Sequence, residues 1–110
     1  MTVRFADKKF KKVVNNDRAR LREFGKIRAL KLSTRLDQLC CADSLESLKN
    51  QPGNFHELSG DRKGQWACDL DQPYRLIFTS GHQPIPINAH GNYEWQKITE
   101  VIILEVINYH

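Results

Sequence analysis

Three stretches of this sequence carry side chains that could transfer protons or bind an anion. Residues 56–66 read HELSGDRKGQW, in which His56 precedes a turn with two adjacent cations, Arg62 and Lys63. Arg75 stands in the run PYRLIF, and the sequence ends in N-Y-H. Histidine is the side chain that exchanges protons near neutral pH, and a guanidinium can bind a phosphate through two parallel hydrogen bonds. These residues can act together only if the fold brings them to one place.

Length and composition predict one ordinary globular domain over residues 1–110. The chain is 40% hydrophobic and 27% charged, which is typical of such domains. No apolar run has the length of a membrane span, and the N-terminal stretch MTVRFADKKFKK lacks the apolar core of a secretory signal. We therefore expect a cytoplasmic protein. The three cysteines, Cys40, Cys41 and Cys68, have no zinc-binding spacing and are predicted to be buried thiols.

Charge is unevenly distributed along the chain. Residues 1–50 hold 13 Lys and Arg against 6 Asp and Glu, a net charge of +7. Residues 51–110 hold 4 against 7, a net charge of −3. A basic half indicates either a polyanion or an acidic protein segment as partner, beside the simpler interpretation of solvated helix faces.

The first half of the chain has helical periodicity. Val3 and Phe5 predict a short edge strand before it. A first helix is predicted by the apolar spacing of Phe10, Val13, Val14, Leu21 and Phe24, with 15–17 as a weak point and Gly25 as its end. A second helix is predicted over KIRALKLSTRLDQLCCA, with a broad apolar face formed by Ile27, Leu30, Leu32, Leu36, Leu39 and Cys40.

From Phe55 onward the period changes to two, which predicts strands. FHEL, QWACDL and YRLIF are predicted strands separated by turns, with YRLIF central and Trp66 in the core. Residues 81–98 form a long polar excursion, either a hairpin or a flap. TEVIILEVINYH predicts a strand buried on both faces. The sequence therefore predicts an α+β fold: two N-terminal helices packed on one face of a mostly antiparallel, twisted sheet of four to five strands.

Three motifs taken together resemble the HigB branch of the RelE/ParE toxin superfamily. They are H-x-L-x-G-D-R-K-G, P-Y-R-L-I-F and the terminal Tyr-His, and the resemblance covers most of the chain, including the order of its elements. It implies the toxin of a type II toxin–antitoxin pair, which cuts messenger RNA in the ribosomal A site without a metal or other cofactor. It also implies a helix-turn-helix, HigA-like antitoxin as partner, with operator DNA bound only through that antitoxin.

The same resemblance implies roles for particular residues. Metal-free cleavage uses the ribose 2′-hydroxyl against the adjacent phosphate, so it needs proton transfer and cations at the phosphate. The catalytic residues would be His56 and His110 as acid and base, Tyr109 as a stacking or orienting group, and Arg75 as the phosphate ligand. Arg62 and Lys63 would hold flanking phosphates of RNA.

Two positions depart from the pattern of active relatives. Ser59 stands where they often carry a lysine, and Asn108 where they often carry an acidic residue; both are expected on the RNA-binding surface. Each departure removes a charge, which predicts an enzyme that is slow, altered in specificity or inactive. Two alternatives therefore stay open: a ParE-like toxin that inhibits DNA gyrase without cutting RNA, or a weakly active toxin that acts mainly in the antitoxin–operator complex.

Overall fold

The computed structural model describes residues 1–109, so the predicted role of His110 lies outside the described residues. The strands are β1 (Thr2–Phe5), β2 (His56–Glu57), β3 (Gln65–Asp69), β4 (Tyr74–Ser80) and β5 (Glu100–Asn108), and the helices are α1 (Lys8–Val14) and α2 (Asp17–Cys41). Short 3₁₀ turns occupy Leu45–Leu48, Gly60–Arg62 and Trp95–Lys97. Among the residues described, no helix has both the length and the apolar character needed to cross a membrane.

The five strands form one mixed sheet in the order β1-β5-β4-β3-β2. β1 runs parallel to β5, and the other neighbouring pairs are antiparallel. The predicted α+β fold with a mostly antiparallel sheet is confirmed, and β4, the strand of PYRLIF, is its centre. β5 lies between β1 and β4. It is not buried on both faces as predicted: Val101 and Ile103 are buried, whereas Glu105 is exposed, because no helix covers that side.

Both helices pack on the same face of the sheet. The core joins buried side chains of α2, chiefly Leu32 and Leu39, to those of the strands and of the 3₁₀ turns. The strand residues that point into it are Trp66, Cys68, Leu76, Phe78, Val101 and Ile103. The excursion after β4 is a hairpin bridged between Ile87 and Tyr93, and its Tyr93 and Trp95 rings pack against Trp66.

The first helix ends earlier than predicted: α1 stops at Val14, at the predicted weak point, and Gly25, the predicted helix end, is a kink within α2. Asn16 ends the gap between α1 and α2 and caps α2, because its side chain accepts a hydrogen bond from the Ala19 N–H. Gly25 interrupts α2 with φ +78°, a backbone conformation that favours glycine. The residues before and after Gly25 are therefore two helical segments joined at a kink.

Several side chains predicted to be in the core are on the surface instead. Leu21, Ile27 and Leu30 are 52%, 67% and 67% exposed. Leu32 and Leu39, with the partly buried Leu36, pack into the core, and the opposite side of α2 faces solvent. Cys40 and Cys41 are also exposed. Of the three predicted buried thiols only Cys68 is buried, and that burial raises the pKa of its thiol well above the usual range.

Candidate active site on the open face of the sheet

The sheet face opposite the helices carries the predicted site residues His56 and Arg75. We call it the open face. Strand register places on it His56, Gln65, Ala67, Asp69, Arg75, Ile77, Thr79, Ile102, Glu105 and Ile107. One row runs across four strands from His56 through Ala67 and Ile77 to Glu105. Ala67 and Ile77 are fully buried, so they form an apolar floor between polar side chains.

His56 is held in one tautomer by the main chain. Its Nδ1 lies 2.7 Å from the carbonyl oxygen of Asn54. A carbonyl oxygen can only accept a hydrogen bond, so Nδ1 carries the hydrogen. In the neutral ring Nε2 then has the free lone pair and can take a proton from a substrate. The imidazole is half-buried and sits on the short strand β2.

Arg75 lies between a carboxylate and an aromatic ring. Its Nε is 3.3 Å from Oδ1 of Asp69, the directly opposite residue on β3. Its guanidinium carbon is 4.2 Å from the centre of the Tyr109 ring, which is a cation–π arrangement. Within residues 1–109 the two terminal nitrogens of Arg75 make no hydrogen bond or ion pair, so they are the atoms left for an anionic ligand.

Tyr109 follows β5 and extends past Tyr74, the first residue of β4. Its backbone N–H donates to the Pro73 carbonyl at 3.1 Å, which anchors the end of the strand on the β3–β4 turn. Tyr109 as a whole is 43% exposed. One ring face is therefore occupied by Arg75 while part of the ring remains open to a ligand.

Asn54 and Asp69 connect these residues into one network. The Asn54 carbonyl binds His56, and its side-chain amide donates to Oδ2 of Asp69 at 3.4 Å. Asp69 in turn faces Arg75. The predicted residues His56, Arg75 and Tyr109 are thus joined through two residues that the sequence reasoning missed. The spacing D-x-x-x-P-Y-R held a signal, because an Asp and an Arg at the two ends of a short hairpin face each other.

Two arginines of α2 hold the turn that carries this network. Arg35 is buried, and its Nε donates to the carbonyl oxygen of Asp69 at 2.7 Å. Arg28 binds both carboxylate oxygens of Asp71 at 3.1 Å and stacks on the Tyr74 ring at 3.3 Å. The helix layer therefore fixes the positions from which Asp69, Arg75 and Tyr109 project.

A second cation lies on the open face beyond the apolar floor. Arg62 donates to Gln65 at 2.9 Å and lies 3.4 Å from the Glu105 carboxylate. Glu105 was not predicted as a site residue, although a carboxylate inside the apolar run VIILEVI was a visible signal. Exposed ion pairs of this kind contribute at most about 1 kcal/mol, so a phosphate can replace the carboxylate beside Arg62.

The remaining predicted residues lie at the margins. Ser59 and Lys63 are exposed and line a cleft with Tyr93 beside the 3₁₀ turn Gly60–Arg62. Asn108 is exposed and faces Tyr74 at the end of β5. Neither Ser59 nor Lys63 takes part in the network around Arg75. The structure thus assembles the three described catalytic candidates and leaves the RNA-binding candidates around them.

Comparison with known proteins supports the architecture. Neither the protein-family models nor the curated proteins include a match to this sequence. Among solved structures, the chain is similar to a YoeB/ParE toxin from Agrobacterium tumefaciens, with a TM-score of 0.59, 8% sequence identity and coverage of 100% of both chains. The chain has the fold of a YoeB/ParE-type toxin. At this identity the likeness establishes the fold, and the activity has to be argued from the site.

The open face carries side chains of the types that are used in phosphodiester chemistry. His56 offers a nitrogen that can accept a proton, and Arg75 offers two nitrogens to an anion. Tyr109 offers a partly exposed ring on which an unpaired base can stack. The apolar floor of Ala67 and Ile77 lowers the local polarity between the charged side chains, which strengthens electrostatic interactions there.

Proposed function

We propose that this protein is the toxin of a type II toxin–antitoxin pair, HigB-like, and that it cuts messenger RNA on the ribosome. One observation carries the proposal: His56, Arg75 and Tyr109 lie on one open sheet face and are joined by Asn54 and Asp69. The toxin-like fold is the second support. The HigB motifs in the sequence are the third.

In the proposed reaction His56 is the general base. Its Nε2 accepts the proton of a ribose 2′-hydroxyl, and the 2′-oxygen attacks the adjacent phosphorus. The bond to the 5′-oxygen breaks, which leaves a 2′,3′-cyclic phosphate and a 5′-hydroxyl. His110, from its place in the motif, would return a proton to the leaving oxygen. Such proton transfer contributes about 10²–10⁴-fold in rate.

Arg75 and Tyr109 position the substrate. The terminal nitrogens of Arg75 bind the scissile phosphate, while Asp69 at Nε and the Tyr109 ring hold the guanidinium in place. A charge that is already oriented stabilises the transition state without reorganisation. Arg62 exchanges Glu105 for a flanking phosphate, and Lys63 and Ser59 contact RNA at the edge of the site. Asn108 contributes at the end of β5.

A ParE-like inhibitor of DNA gyrase is the second candidate. The observation in its favour is that each of Arg62 and Arg75 already faces a carboxylate. The uncharged Ser59, where active relatives often carry a lysine, supplies no further cation. A surface of neutralised cations suits a protein partner better than a polyanion. This candidate predicts growth arrest with intact messenger RNA.

The test is to induce the protein in bacteria without its antitoxin and to map new 5′ ends in messenger RNA. We expect new ends inside translated frames with the wild type, and none with His56→Ala. His90→Ala is the matched control, because His90 is exposed at the hairpin tip, away from the network. Growth arrest by wild type without new ends would refute the nuclease and support gyrase or another target.

A further inference from the structure

The outward side of α2 combines exposed apolar side chains with cations. Ile27 and Leu30 are 67% exposed, and Leu21, before the kink at Gly25, is 52% exposed. Around them lie the exposed cations Arg18, Arg22, Lys26 and Lys31. We call these seven residues the outer face of α2.

Helical spacing makes this face distinct from the buried one. Ile27 and Leu30 are three residues apart, so they lie on one side of the helix. Leu32 and Leu39, which pack into the core, point to the opposite side. Among the described residues, Ile27 and Leu30 are not part of the core, and both side chains are largely exposed to solvent.

The cations of the outer face are also without carboxylate partners. Elsewhere on α2, Arg20 pairs with Asp17 and Arg28 pairs with Asp71. Within residues 1–109, no ion pair is formed by Arg18, Arg22, Lys26 or Lys31. The open face is different, because Arg62 and Arg75 there each face a carboxylate.

We infer that the outer face of α2 is the docking surface for an acidic, amphipathic segment of a protein partner. Bare Leu and Ile side chains indicate protein, because RNA is held by phosphate contacts and by bases stacking on aromatic rings, and this face has no aromatic ring. The unpaired cations of this face can pair with carboxylates of the partner, if those carboxylates lie on both sides of an apolar stripe on the partner segment. A second copy of this chain would bring like charges together. This inference rests on the proposed function, under which the partner is the antitoxin.

The surface is separate from the proposed active site. The outer face lies on the solvent side of the helix layer, whereas His56 and Arg75 lie on the opposite side of the sheet. Substitutions of Ile27 and Leu30 should therefore change partner binding without changing RNA cleavage.

The test uses the purified full chain and, as the probe, the helix-turn-helix protein encoded beside its gene. The variant is Ile27→Glu with Leu30→Glu, and the matched control is Ile87→Glu, since Ile87 is 57% exposed at the distant hairpin. Titration calorimetry should show binding weakened at least about tenfold in the double variant, the loss typical of central interface residues. The control should bind like the wild type, and binding should weaken as salt is raised.

Thermal unfolding of the two variants distinguishes lost docking from lost folding, and we expect both to melt like the wild type because these side chains are on the surface. Unchanged binding by the double variant overturns the inference. The inference is also overturned if the double variant loses binding to ribosomal RNA but still binds the protein partner, because the face would then be an RNA-binding surface. Binding through α2 by a protein that cuts no RNA would refute the nuclease and leave the docking surface standing.

Discussion

Replacing Gly53 by alanine should destabilise the protein through the buried Arg35. Gly53 has φ +115°, and a Cβ there would lie 2.7 Å from Arg35 Nε and 3.0 Å from its neighbouring carbons. Arg35 cannot move aside freely, because it is buried and its Nε donates to the Asp69 carbonyl. The alanine therefore strains the backbone and displaces a charged hydrogen-bond donor at the same time.

The two effects set the expected magnitude. A strained backbone conformation costs about 1–3 kcal/mol, and losing a hydrogen bond from a charged group costs about 1.5–3 kcal/mol. Alanine also lowers the conformational entropy of the unfolded chain, which stabilises the folded protein by about 0.4–1 kcal/mol. The free energy of unfolding should fall by roughly 2–5 kcal/mol, a large fraction of the roughly 5–15 kcal/mol of a typical domain.

Urea unfolding of wild type, Gly53→Ala and Gly91→Ala measures this directly. Gly91 also has a positive φ, +80°, but a Cβ there would meet nothing within 4 Å. Gly91→Ala should therefore lose only the backbone contribution, about 1–2 kcal/mol. Equal losses in the two variants would refute the reasoning, because they would show that Arg35 gives way without cost.

Other predictions concern the cysteines and the Arg75 site. In the native protein, a thiol-alkylating reagent should modify Cys40 and Cys41 but not Cys68, whose burial and raised pKa keep it protonated, as mass spectrometry with and without denaturant can show. Tyr109→Phe should retain messenger RNA cleavage and Tyr109→Ala should lose it about tenfold or more, because the ring stacks on Arg75; equal activity of both would argue against stacking. Arg75→Lys should lose cleavage about as fully as Arg75→Ala, because lysine cannot bind in two-pronged fashion.

The fold was predictable where the apolar period was unambiguous. The alternation of Trp66 and Cys68 predicted the strand layer correctly, and Gly25 marked a real interruption of helical backbone, although it is a kink within α2 and not the end of the first helix. The burial of Ile27 and Leu30 was predicted wrongly. Apolar residues at helical spacing do not say which of two apolar sides faces the sheet, and here the narrower one does.

The site was predictable in its residue types and less so in its contacts. His56, Arg75 and Tyr109 were identified from motifs, but the ion pair that orients Arg75 depends on the register of β3 against β4. Asn54 was missed because its contribution to His56 is a backbone carbonyl, which any residue has. Contacts made by the main chain leave no trace in residue type.

The most direct test of the central claim is the chemistry of the cut ends. Purified protein is incubated with ribosomes paused on a defined messenger RNA, and the termini of the products are identified by mass spectrometry. Attack by the 2′-hydroxyl with His56 as base predicts a 5′-hydroxyl and a 2′,3′-cyclic phosphate, and no products with His56→Ala. Intact messenger RNA, or ends carrying a 5′-phosphate, would contradict the assignment of the open face as a nuclease site.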